Sequence, residues 1–253
     1  MTALLEVSEI EKHFGGLQAV TNCSFAVEEG TVTGLIGPNG SGKTTIFNVI
    51  TGYVQADSGT VRIGDRDVTG TGPGGICALG LGRTFQLTRV FARLTLLENI
   101  RVGSRGVPRA KRKELYSSQR CHELLDFVGL TRLANEQAGS LSYGQRKLVE
   151  LATVLAQEPR VVLLDEPAGG INPTLIGQMA DRIRELNRQG VTFLVVEHNM
   201  EFVMGICDSV AVMERGSVIA FGKPEEVRND PRVLDAYLGG AVDDELTQPE
   251  EPR

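Results

Sequence analysis

Gly37-Pro38-Asn39-Gly40-Ser41-Gly42-Lys43-Thr44 fits the pattern G-x-x-x-x-G-K-[ST], a stretch built for a polyanion. Its glycines let the backbone wrap closely enough for N–H groups to point inward, and a helix opening directly behind adds positive potential. In such a loop Lys43 is expected to contact the β- and γ-phosphates of a nucleotide. Thr44 is expected to lend its hydroxyl to Mg²⁺, which keeps several waters and takes few protein ligands. Thr45 is expected to support the α-phosphate region.

The second candidate is carboxylic. Val161-Val162-Leu163-Leu164 runs straight into Asp165-Glu166, which places two carboxylates at the C-terminal end of a buried strand, where open α/β sheets put their ligands. Asp165 would hold Mg²⁺ through water. Glu166 is the candidate base for an attacking water, or the group that orients it.

These side chains need elements to hold them. Apolar stretches at Leu4–Ile10, Cys23–Val27, Val32–Ile36 and Val61–Ile63 read as strands, punctuated by Gly15-Gly16, Glu29-Gly30 and Asp57-Ser58-Gly59. Ile46, Val49 and Ile50 recur at helical spacing after Gly42, and Gly52 stops them, so the glycine loop sits between a strand and a helix. From about Thr88 to Gln157 the β-branched runs thin out. A basic stretch runs from Arg109 to Arg112, and Leu115, Leu124, Leu125 and Val128 recur periodically, which predicts a helical insert. Val161–Leu164, Phe193–Val196 and Val210–Met213 then read as short buried strands separated by helices, the order of a parallel sheet. Val242 to Arg253 holds five acids, two prolines and one arginine, which predicts a solvated tail.

A chain of 253 residues with 41% hydrophobic content can bury a sizeable core. A net charge of -6, a pI near 5.3 and 5% aromatics leave no basic footprint for nucleic acid, so any phosphate site must be local. The longest apolar runs fall well short of the roughly 18 residues that cross a bilayer. Met1-Thr2-Ala3-Leu4-Leu5-Glu6 carries neither a basic leader nor a long apolar segment, and the expected compartment is the cytoplasm. Cys23, Cys77, Cys121 and Cys207 lie far apart with no Cys-x-x-Cys pair, which argues against a zinc site or a disulfide framework.

Leu141-Ser142-Tyr143-Gly144-Gln145 resembles the signature of the ABC ATPases, and the resemblance runs from Leu5 to about Leu238. It implies an α/β fold: a P-loop NTPase core of the ABC type with a mostly parallel sheet, an N-terminal antiparallel β subdomain and a helical subdomain. One ABC ATPase domain would span 1–240, with core and β subdomain at about 1–87 and 158–240 and helical subdomain at about 88–157, followed by the acidic tail 241–253. In that family two subunits close on ATP and Mg²⁺. Gly37, Pro38, Asn39, Gly40, Ser41, Gly42, Lys43, Thr44 and Thr45 of one would cradle the phosphates. Ser142, Gly144 and Gln145 of the other would face the γ-phosphate from a helix N-terminus. Ser142 and Gln145 also make a capping box, and both uses are compatible.

The resemblance further implies that Gln86, in Arg83-Thr84-Phe85-Gln86, is the glutamine-loop residue that senses Mg²⁺ and water and joins the core to the helical insert. His198 would be the switch histidine that reaches the γ-phosphate. Phe14 matches the aromatic that stacks on adenine, with core packing as the alternative. Tyr143 departs from the commoner glycine, which predicts altered packing beside the nucleotide without loss of function. Gly169 and Asn172 stand where many relatives carry Ser and Asp, and communication between the two sites is expected to differ there.

Within the family the chain is most similar to the ATPases of branched-chain amino acid importers. Phe14-Gly15-Gly16-Leu17, Gly82-Arg83-Thr84-Phe85-Gln86, Glu166-Pro167-Ala168 with Asn172-Pro173, Val196-Glu197-His198 and Ala236-Tyr237-Leu238-Gly239 carry that likeness. The implied partners are a second nucleotide-binding subunit, integral membrane permease subunits and, indirectly, a substrate-binding protein, with no nucleic acid. The implied place is peripheral, on the cytoplasmic side of the membrane. Permease loops would dock near Gln86, beside Arg89, Val90, Phe91 and Leu94. ATPases of urea, amide or lipopolysaccharide transport are alternatives, as are a soluble ABC ATPase of DNA repair or translation and a non-hydrolysing regulatory subunit.

Overall fold

A computed structural model describes residues 2–103 and 117–237. The basic stretch Arg109–Arg112, Leu115, the Leu238-Gly239 pair and the expected acidic tail lie outside the described residues.

Two sheets make the frame. The first, in the order β2-β1-β4-β5, is antiparallel throughout: β1 (Ala3–Phe14), β2 (Leu17–Glu28), β4 (Ser58–Ile63) and β5 (Arg66–Asp67). Gly15, at φ +59°, turns β1 into β2, a conformation that costs a residue without Cβ little. Both strands run past the apolar stretches that mark them, because backbone pairing continues where side chains are exposed.

The second sheet has the order β10-β9-β3-β8-β7-β6, from β3 (Val32–Ile36), β6 (Leu81–Arg83), β7 (Val161–Asp165), β8 (Thr192–Val196), β9 (Ser209–Glu214) and β10 (Ser217–Gly222). All its pairs are parallel except β10 with β9. Every residue of β3, β7 and β8 is buried, which is why these strands read as unbroken apolar runs rather than alternations. The alternation is still present in what they touch. Val161, Leu163, Leu194 and Val196 pack toward the antiparallel sheet and the helix α1 (Lys43–Ile50). Val162, Leu164, Phe193 and Val195 pack toward the opposite layer, with α3 (Leu96–Gly103), α4 (Ser118–Phe127), α5 (Tyr143–Leu155) and α6 (Pro173–Arg188). Helix α2 (Pro73–Ala78) precedes β6, and α7 (Met200–Ile206) and α8 (Pro224–Arg228) flank β9 and β10.

Five elements escape the sequence pattern. β5, β6, α2 and α8 are too short to establish a period, and β10 is a half-exposed edge strand. Between Thr88 and Gln157 the structure places α3, α4 and α5 against one another, while Leu87 to Leu94 is irregular rather than helical. Among the described residues no helix is long and apolar enough to cross a membrane. The four cysteines are free thiols, and burial pushes those of Cys23 and Cys207 up to about 12.

The candidate functional element of each strand follows its carboxyl end. The glycine loop leaves β3, Thr84-Phe85-Gln86 leaves β6, Glu166 leaves β7 and His198 follows β8. Because β3, β8, β7 and β6 are adjacent, the topology gathers these four loops along one sheet edge.

Candidate nucleotide site

The glycine loop holds a shape that side chains would break. Gly42 caps α1 at φ +101°, and a Cβ there would come within 2.6 Å of the Ala19 carbonyl oxygen. Gly37 lies at φ +150° with the Met213 carbonyl where its Cβ would go. Buried Ser41 pins the loop from inside: its N–H donates to Pro38 O at 3.3 Å and its carbonyl accepts from Gly216 N at 3.0 Å. Asn39 and Gly40 form the exposed tip, Pro38 and Thr45 are half-buried, and Thr44 is exposed. No acid occupies the first turn of α1 and no side chain caps it, so its leading N–H groups keep their positive potential. Lys43 Nζ donates to Gly37 O and Pro38 O, each at 2.8 Å, and to Ser41 Oγ at 3.4 Å. Burial lowers its pKa, and the nearby Glu166 opposes that shift.

Asp165 ends β7 almost fully buried. Its N–H donates to Thr84 Oγ1 at 3.1 Å, and its Oδ2 accepts from Arg83 Nη2 at 3.1 Å. Desolvation raises its pKa, and Arg83 pulls the other way. Glu166 follows at φ +47°, the left-handed region, with its N–H held by Val196 O at 2.9 Å. That turn carries its carboxylate off the strand and toward two partners. Gln86 Nε2 donates to Glu166 Oε2 at 3.1 Å, and His198 Nδ1 lies 3.8 Å from Glu166 Oε1. Gln86, Glu166 and His198, far apart in sequence, therefore meet, and Glu166 is near enough for its charge to be felt by Lys43.

The remaining candidates lie on other parts of the surface. Phe14 ends β1 exposed, with Lys12 Nζ 5.5 Å from its ring centroid, so core packing does not account for it. Ser142 is exposed at the start of α5 and forms the expected capping box: its Oγ accepts from Gln145 N at 3.3 Å and Gln145 Oε1 accepts from Ser142 N at 3.0 Å. Gly144 is buried against Ile171 and Leu175, where a Cβ would require the end of the Leu175 side chain to move. Asn172 accepts from Leu175 N at 3.0 Å and caps α6, a use an aspartate would serve equally. Beside the glutamine loop, Leu87 and Phe91 are exposed while Val90 packs against the core.

Sequence reading passed over four charged residues. Arg83 Nη1 donates to Asn48 Oδ1 and Thr51 Oγ1, both at 2.7 Å, so its buried guanidinium joins α1 to Asp165. Lys147 is buried and its ammonium donates to the Glu166 carbonyl. Glu150, also buried, accepts from Phe85 N at 3.3 Å and Arg89 N at 3.1 Å, and burial pushes its pKa up to about 7. Glu197 accepts from Ala168 N at 2.6 Å and from the N–H groups of His198 and Asn199, tying the end of β8 to the segment after Glu166. A signal existed for Lys147 and Glu150: both interrupt the apolar face of α5 between Leu148, Leu151 and Val154.

Among the described residues no cluster of three or more His, Cys, Asp or Glu side chains is arranged to hold a metal. What the site does offer is a set of hard oxygen donors, the Thr44 hydroxyl, the Asp165 carboxylate and the Gln86 amide. That set fits Mg²⁺ carried in with a nucleotide and largely hydrated.

Residues 20–169 match the ABC transporter family, and residues 217–243 match a family described as branched-chain amino acid ATP-binding cassette transporter. The chain is 38% identical over 252 residues to a probable branched-chain amino acid transport ATP-binding protein of Archaeoglobus fulgidus, covering 96% of this chain and 98% of that relative. It is 39% identical over 251 residues to a high-affinity branched-chain amino acid transport ATP-binding protein of Salmonella typhimurium, covering 94% and 98%. Among solved structures it resembles a nucleotide-free ATP-binding cassette from an ABC transporter, with a TM-score of 0.85 at 35% identity over 93% of this chain and 99% of that one. An ATP-binding cassette of an ABC transporter in its ADP conformation superposes with a TM-score of 0.86 at 34% identity over 94% and 100%. With a phosphate loop, an acidic strand end and a signature helix on one parallel-sheet frame, the chain belongs to the ATP-binding subunits of ABC transporters, ATPases whose hydrolysis is coupled to transport.

Proposed function

We propose that this subunit powers uptake of branched-chain amino acids, binding Mg-ATP in a sandwich with a second nucleotide-binding subunit on the cytoplasmic side of integral permease subunits. A substrate-binding protein would deliver the cargo to those permeases. The family matches at both ends of the chain and the names of relatives that cover nearly all of it support the substrate class. The observation that carries the ATPase reading is the meeting of Gln86, Glu166 and His198 beside the Lys43 loop.

In this reading the N–H groups of the glycine loop and the Lys43 ammonium hold the β- and γ-phosphates, and Thr45 supports the α-phosphate region. Thr44, Asp165 and Gln86 hold the hydrated Mg²⁺, which when bound neutralises charge on the phosphate oxygens. Glu166 accepts the proton of the attacking water as its oxygen bonds the γ-phosphorus and the bond to the β–γ bridging oxygen breaks, giving ADP and phosphate. Gln86, already bonded to the Glu166 carboxylate, orients that water, and His198 donates to the γ-phosphate. Phe14 stacks on the adenine. Ser142, with the N–H groups of Gly144 and Gln145, closes the opposite site from the N-terminus of α5. One cassette domain over 1–240 contains all of this, and the helical layer from about 88 to 157 carries Ser142 toward the partner.

The test is capture of the tagged full chain with its partners from solubilised membranes, followed by reconstitution into vesicles. ATP-dependent uptake of leucine, isoleucine or valine is expected. Uptake of urea or an amide with none of these amino acids would overturn the substrate class.

A further inference from the structure

The glutamine loop is gripped by the signature helix. Tyr143 Oη donates to the Gln86 carbonyl at 2.9 Å. Glu150 accepts the N–H groups of Phe85 at 3.3 Å and Arg89 at 3.1 Å, on either side of Gln86. Both anchors belong to α5, two turns apart on one face. Lys147 sits between them on the same face and donates to the Glu166 carbonyl, while the Gln86 side chain bonds the Glu166 carboxylate. The helix thus holds three backbone groups of the loop through two side chains, and the residue after Asp165 through a third.

Chemistry explains why such polar groups are kept inside. The segment from Phe85 to Arg89 is irregular, so its N–H groups find no ladder partner. Buried Glu150 supplies one acceptor to two of them, and truncating it would orphan both. Tyr143 does what glycine at this position cannot: its ring spans the gap between the start of α5 and Gln86, passing close to Gly170 on the way. Phe85 is fixed as well, with the Arg89 guanidinium 3.9 Å and the Arg83 guanidinium 5.0 Å from its ring centroid.

We propose that Tyr143 and Glu150 are positioning residues that clamp the loop from Phe85 to Arg89 onto the signature helix, so that the placement of Gln86 against Glu166 follows the movement of α5. Displacement of Ser142 by an opposing subunit is thereby transmitted to Gln86 inside the same subunit. The inference rests on the reading of Gln86 as a residue of the hydrolytic site, and its test separates the two.

Steady-state phosphate release is measured for the full chain and for Tyr143→Phe, Glu150→Ala, Glu150→Gln, Tyr143→Phe/Glu150→Ala and Gln86→Ala, with thermal unfolding of each. Tyr143→Phe and Glu150→Ala are each expected to lower kcat about 3- to 10-fold, the range of one lost hydrogen bond, with KM for ATP little changed. Glu150→Gln keeps an amide oxygen for the same two N–H groups and is expected to recover most of the loss. The double variant should be no slower than the slower single one, because either break frees the same loop. Wild-type kcat in Tyr143→Phe and Glu150→Ala, alongside a loss in Gln86→Ala, would overturn the clamp alone. Additive losses, or no recovery in Glu150→Gln, would also overturn it. Wild-type kcat in Gln86→Ala would remove the role of Gln86 itself, and the clamp with it. Tyr143→Phe, which deletes only a hydroxyl, keeps the test open if Glu150→Ala fails to fold.

Discussion

Arg83 and Asp165 form a buried ion pair at 3.1 Å that links three segments of the chain. Asp165 ends β7, Arg83 ends β6, and Nη1 of the guanidinium reaches Asn48 of α1 and Thr51, which caps its C-terminus. The rings of Phe47, Tyr53 and Phe85 lie 5.0 to 5.5 Å from its centre. A planar cation with donors on two edges suits such a place, since it can bond helix and strand end together while aromatic faces cover it.

Replacing Arg83 by Ala leaves Asp165 as an uncompensated buried carboxylate. Losses of about 3–5 kcal/mol follow when one partner of a buried pair is removed. Urea denaturation is expected to show a destabilisation of that order, with only partial recovery in Arg83→Lys, because one ammonium cannot span Asn48, Thr51 and Asp165 together. A loss below about 1 kcal/mol would place the pair among the weak surface type.

Lys43→Ala removes the cation of the phosphate loop, and an equilibrium titration with an ATP analogue should show weakened binding. The loop glycines keep the backbone in shape, so the fold should persist. Unchanged affinity would deny Lys43 its place on the phosphates.

Glu166→Gln keeps the size of the side chain but loses the proton acceptor. Binding of ATP is expected to remain while kcat falls about 10²- to 10⁴-fold, the usual share of a positioned base. Because hydrolysis no longer releases it, ATP should also hold this variant as a dimer in gel filtration. Normal turnover would rule out the base.

Glu150 gives a pH signature in stability. Burial raises its native pKa to about 7 from the model-compound 4.5, against the opposing charges of Lys147 and Arg89 and the N–H groups of Phe85 and Arg89. The folded state therefore holds this proton more tightly than the unfolded chain. Its contribution is complete below about 4.5 and is lost as pH rises to about 7, on the order of 3 kcal/mol in all. Glu150→Gln removes the titration, so the stability of the wild type relative to the variant should fall by that order across this window and then level off. Parallel curves for the two proteins would contradict the raised pKa.

Much of the nucleotide site could be read from neighbouring residues alone. A loop that wraps phosphates must be one unbroken stretch, so Gly37 to Thr44 declares itself, and a strand that delivers carboxylates must be apolar up to Asp165. Resemblance added Gln86, Ser142 and His198, whose types in isolation carry no message. Folding decided the rest. The chain runs β3, β6, β7, β8, yet the sheet sets them in the order β3-β8-β7-β6, and that arrangement brings Lys43, Glu166 and His198 to one edge. Arg83 finds its partners 35, 32 and 82 residues away, and Glu150 finds its own 65 and 61 residues away. A buried charge is satisfied by whatever packing places beside it. Spacing along the chain constrains contacts within one turn or one strand, and the closing of the helical layer onto the sheet chooses the others.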